Sequence, residues 1–151
     1  MAKGNLFKIT SNVHAEAIAS NDWSSFLKLD KLQDSFNSAY VDKVRISYIS
    51  GEDDADENQG FLFVASLDDA LDSSTPSNND GQIIAASASR GAAGVVVLPI
   101  KRRITTNETA SNETGSGFPI YLHVRAAATG EANKAYMVIE TMGRLHRATS
   151  L

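Results

Sequence analysis

The sequence predicts an all-β domain, a β-sandwich or barrel. Three observations carry that prediction: seven or eight short segments have strand character, polar turn-rich stretches separate them, and no helical repeat is sustained over any length. At 151 residues, with 42% hydrophobic and 21% charged content, the chain is one ordinary globular domain spanning residues 1–151 with short polar termini. No internal repeat or Pro-rich linker divides it.

The first strand is expected over residues 5–13, where apolar and polar side chains loosely alternate. Residues 14–20 suit a helical turn or a loop. Trp23, Phe26, Leu27, Leu29 and Leu32 form an apolar cluster without a clean period, and Trp23 is expected in the core. Leu32, Phe36 and Tyr40 recur every four residues, which predicts a short helix within Asp30–Tyr40. Val44, Ile46 and Tyr48 alternate with Lys43, Arg45 and Ser47, the period-two pattern of a half-buried strand ending at Gly51. The acidic run Glu52–Asn58 reads as a solvated loop, and Phe61–Ser66 as a short strand apolar on both faces. Asp72–Gly81 is a loop by composition. Gln82–Ser89 is a strand fading into the small-residue turn Arg90–Gly94, where two chains approach closely. Val95–Ile100 is β-rich, with Pro99 marking a bulge or an edge. A second polar loop covers Thr105–Gly117. Phe118–Arg125 alternates again, and Lys134–Met142 is the last strand, closed by Gly143 and Arg144.

Charge is unevenly distributed. The net charge of -4 arises from 14 basic and 18 acidic residues. Residues 52–80 carry nine carboxylates and no Lys or Arg, whereas Lys101-Arg102-Arg103 is the densest basic cluster. These three cations are the candidate contacts to a neighbouring copy's acidic segment or to another anionic partner. The first 27 residues hold only Lys3 and Lys8, so a basic N-terminal arm for nucleic acid is missing.

Nothing in the sequence nominates a catalytic group. His14, His123 and His146 lack metal-ligand spacing, and no nucleophile or orienting carboxylate is indicated beside any of them. His123 reads as a solvent-facing or interface residue, and His146 as part of a polar tail. Asp54, Asp56 and Asn58 fall at alternate positions, but Gln59 and Ala65 stand where an EF-hand needs glycine and glutamate. A looser calcium clip between subunits is left open. Ser89–Gly94 lacks the Gly-Lys-Ser/Thr ending of a P-loop. Asn107 and Asn112 both begin glycosylation triplets within one loop. With no cysteine there is no disulfide or thiolate site, and no cofactor is expected. No long apolar run indicates a signal peptide or a transmembrane helix.

Two stretches resemble a known family. Leu32–Phe36 followed by Ala39–Tyr48 is similar to the region of small viral capsid proteins where a short helix leads into the third jelly-roll strand. Gly117–Val124 and Ala135–Arg144 resemble the last two strands of that fold. The resemblance covers about two thirds of the chain and lies in pattern, not in a diagnostic motif. It implies a single jelly-roll β-sandwich with one short helix before the third strand. It also implies a coat subunit that binds copies of itself to build an icosahedral virion shell, assembled in the host cell interior. A second capsid protein, and contact with the genome or an internal membrane, are left open. A carbohydrate-binding or adhesive β-sandwich is the chief alternative. An RNA-phage-type coat protein is the other, although that fold ends in helices and this chain ends in a predicted strand.

Overall fold

The computed structural model describes residues 5–18, 23–28, 38–50, 60–67, 71, 83–91, 93–105, 120–126 and 133–146. Eight strands are present: β1 (Asn5–Ile18), β2 (Ser24–Lys28), β3 (Ser38–Ser50), β4 (Gly60–Ser66), β5 (Ile83–Arg90), β6 (Ala93–Thr105), β7 (Tyr121–Ala126) and β8 (Asn133–His146). They form two four-stranded antiparallel sheets, ordered β1-β8-β3-β6 and β2-β7-β4-β5. Apart from β4 and β5, neighbours in each sheet are not consecutive in the chain, which passes repeatedly from one sheet to the other. This is the order of a jelly roll, two Greek keys wrapped into a sandwich.

Alternation within strands decides which side chains meet between the sheets. Val44, Ile46 and Tyr48 of β3 face inward with Val96, Leu98 and Ile100 of β6 and Ala135, Met137 and Ile139 of β8. Phe61, Phe63 and Ala65 of β4 oppose them with Leu122, Val124 and Ala126 of β7. Tyr48 spans the interface. Its ring meets Phe61 edge-on at 5.0 Å and Phe63 at 5.8 Å. Its hydroxyl, the donor, lies 2.9 Å from Ser89 Oγ and 3.2 Å from the Gly91 carbonyl oxygen. The β5–β6 turn is thereby fastened to β3. Gly91 has φ +94°, the left-handed region, and a Cβ on Gly94 would come 2.5 Å from Ser89 Oγ.

Several expectations are corrected. β1 continues through residues 14–18 as strand, because β8 pairs with it along nearly its whole length; tertiary pairing overrides the weak local preference. The irregular cluster after Trp23 contains β2, whose register against β7 shifts between Ser25 and Leu27. Trp23 is half-buried and outside the core, with the Arg125 guanidinium 5.1 Å above its ring. Ser38–Tyr40, assigned to the end of the expected helix, belong to β3; residues 30–37 lie outside the described residues. β8 does not stop at Met142 but runs through Gly143 to His146, which pairs with Ser38 and does not form a tail.

The last of these follows from a bulge. Asp42 is an extra residue in β3: Val41 pairs with Gly143 while Lys43 pairs with Met142. At this point a Cβ on residue 143 would lie 2.0 Å from the Tyr40 carbonyl oxygen, so only glycine lets β8 pass. On the other side, Asp42 is met by two β6 residues, Ile100 and Lys101, and Lys101 takes φ 49°. β6 is an edge strand, and Pro99 sits beside this bulge, as its missing N–H requires.

Candidate functional site

The outer faces of the two sheets differ. On the β2-β7-β4-β5 sheet, the outward residues Val64, Ser66 and His123 are all buried. His123 is 1% exposed, and its Nε2 lies 2.7 Å from Ser66 Oγ. The solvent-facing role expected for His123 is therefore overturned. Alternation placed it correctly on the face opposite Leu122, but at this position that face is buried. The pair is a buried polar link between β4 and β7, whose register puts Val64 across from His123.

The outer face of the β1-β8-β3-β6 sheet is open, and the register fixes its rows across four strands. Leu6, Arg144, Tyr40 and Arg103 form the first row. Lys8, Met142, Lys43 and Pro99 form the second, and Thr10, Glu140, Arg45 and Val97 the third. Asn12, Val138, Ser47 and Val95 follow, then Tyr136, Ile49 and Ala93 across β8, β3 and β6. The face divides into two halves of different chemistry.

The apolar half exposes Ile49, Val95, Val97, Tyr136 and Val138, each between 41% and 56% accessible. A shallow groove of about 590 Å³ runs along it between Asn12, Ser47, Ile49, Tyr136 and Val138. Exposed large apolar side chains scattered singly are ordinary, but five on adjacent strands form a contiguous patch.

The other half is cationic. Lys101, Arg102 and Arg103 are all exposed at the far end of β6. As alternation predicts, Arg103 lies opposite Tyr40 on the outer face and Arg102 opposite Val41 on the other; the bulge falls at Lys101. Arg102 is nevertheless exposed. Lys8, Lys43, Arg45 and Arg144 join Lys101 and Arg103 on the same half of the outer face, from three other strands. Among the described residues two carboxylates are interleaved, Asp42 and Glu140, and Glu140 lies 3.4 Å from Lys8 Nζ. A second groove passes between Leu6, Lys8, Tyr40, Asp42 and Arg144.

Among the described residues there is no group of three or more His, Asp or Glu side chains that could hold a metal. The acidic run 52–58, with its calcium question, and the triplets at Asn107 and Asn112 lie outside the described residues.

No family model and no curated protein sequence matches this chain. Solved structures do. A chain in the three-dimensional structure of Cocksfoot mottle virus is 11% identical, with a TM-score of 0.52 over 93% of this chain and 95% of that one. A chain of tobacco necrosis virus is 9% identical, with a TM-score of 0.46 over 98% of this chain and 100% of that one. A chain of the semi-empty VLP of the nodavirus of the giant freshwater prawn Macrobrachium rosenbergii is 11% identical, with a TM-score of 0.41 over 96% and 98%. Strand order and the Cocksfoot mottle virus likeness agree: this chain is a single jelly-roll β-sandwich, and the fold it shares with that virus chain extends over nearly its whole length.

Proposed function

We propose that this chain is a non-enzymatic structural subunit, a coat protein that associates with copies of itself into a closed virus shell. The observation that carries the reading is the end-to-end likeness to a chain of a virus structure, in a fold whose strand order is fully that of a jelly roll. The open sheet face supports it. On one sheet the outward side chains Val64, Ser66 and His123 of β4 and β7 are buried, while the other presents five large apolar side chains to solvent. Such a patch suits a surface that becomes buried on association. Fold alone does not assign function, so the test is assembly itself.

Size-exclusion chromatography with light scattering, followed by electron microscopy of the full chain, should show closed particles or discrete oligomers. A chain that stays monomeric at high concentration and binds glycans would overturn the reading in favour of an adhesive module. In the shell reading the protein resides in the virion and its partners are copies of itself.

A further inference from the structure

We propose that the cationic half of the open sheet face is a binding site for single-stranded nucleic acid, built from the folded strands and not from a basic arm. Among the described residues, six cations (Lys8, Lys43, Arg45, Lys101, Arg103 and Arg144) and two carboxylates share this half, a surplus of four positive charges on a protein whose net charge is -4. Rows two residues apart are about 7 Å from each other and strands about 4.8 Å apart. Three rows over four strands therefore make a track of roughly 14 Å by 14 Å, wide enough for a phosphodiester strand. In its first row, Tyr40 lies between Arg144 on β8 and Arg103 on β6. An aromatic ring with a guanidinium on either side offers a base a stacking surface and its flanking phosphates two cations.

Two other anionic partners fit less well. A membrane-surface site would surround its cations with exposed Trp, Phe or Leu; here Trp23 lies with Arg125, Phe7, Phe61 and Phe63 are buried or half-buried, and Leu6 alone of these types is exposed in the cationic rows. An acidic segment of another copy would satisfy the charges but has no use for Tyr40. The site stands independently of shell formation, because its residues belong to one chain.

The test is fluorescence anisotropy of a labelled 20-nucleotide oligo(dT) with the full chain, titrated over salt. Binding should weaken with a log–log slope of about -2.8, four phosphates at about -0.7 each. R103E/R144E should weaken binding at least tenfold, since both positions are exposed and the fold tolerates the change. Y40A should weaken it about tenfold, while Y40F retains it. Far-UV circular dichroism confirms that each variant is folded. Absence of binding at 50 mM salt, or binding that R103E/R144E leaves unchanged, would overturn the proposal. So would equal competition by a poly-glutamate peptide or tighter binding to phosphatidylserine vesicles, which would reassign the face to an acidic protein segment or a membrane. Light scattering on the same samples reads assembly separately: particles without oligo(dT) binding sink this site alone, and binding without particles sinks the shell reading alone.

Discussion

The Tyr48 hydroxyl and the Ser66–His123 pair are polar groups placed where the surrounding chain is apolar, and each ties together segments far apart in sequence. Removing the Tyr48 hydroxyl leaves its ring against Phe61 and Phe63 but frees the turn at Gly91. Tyr48→Phe should therefore cost about 1 kcal/mol, read as a lowered urea midpoint with an unchanged slope. Ser66→Ala should cost about 1–3 kcal/mol, because it removes a partner of a fully buried imidazole. Lys101 lies in the left-handed region, where a side chain beyond Cα costs about 1 kcal/mol. Lys101→Gly should raise stability by about that amount, and an unchanged thermal midpoint would show that the lysine side chain compensates for its backbone. In sequence, Tyr48 was legible as a core residue from its alternation with Ser47. The burial of His123 was not, because alternation assigns a face but does not say what lies over it.

At the scale of elements, legibility tracked pattern strength. β3, β4 and β7 carry clean alternation or continuous apolar runs, and the runs Val44–Tyr48, Phe61–Ser66 and Tyr121–Arg125 read from the sequence lie within them. β2 was hidden because a register shift in five residues erases its period. The ends of β1 and β8 were missed for a shared reason. Each is held by its neighbour's ladder, and a single-sequence pattern cannot see a neighbour. Gly143 shows this most clearly: glycine in a strand reads as a stop, but here it admits the Tyr40 carbonyl where Asp42 bulges. Gly143→Ala should cost about 2–4 kcal/mol, as its Cβ meets backbone that cannot rotate aside. Thermal unfolding measures this, and a loss under about 0.5 kcal/mol would mean the bulge can relax.

At the scale of the whole molecule, the jelly roll makes one surface from residues that the sequence scatters. Only Lys101–Arg103 announced itself as a basic cluster; Lys8, Lys43, Arg45 and Arg144 join it through strand pairing alone. The apolar patch has the same origin, with Ile49, Val95 and Val138 on three strands. Ile49→Arg with Val138→Arg should abolish particle formation in light scattering while leaving the circular dichroism spectrum intact, since both residues point to solvent in the single chain. The bulge on β6 has a further consequence for how copies meet. Pro99 lacks a donor, and Lys101 turns the backbone out of line, so half of this edge cannot template another chain's strand. Growth by continuous hydrogen bonding, the route to irreversible fibrils, is blocked there. In the proposed shell, copies are left to meet through side chains on a face, contacts that can be undone when such a container opens.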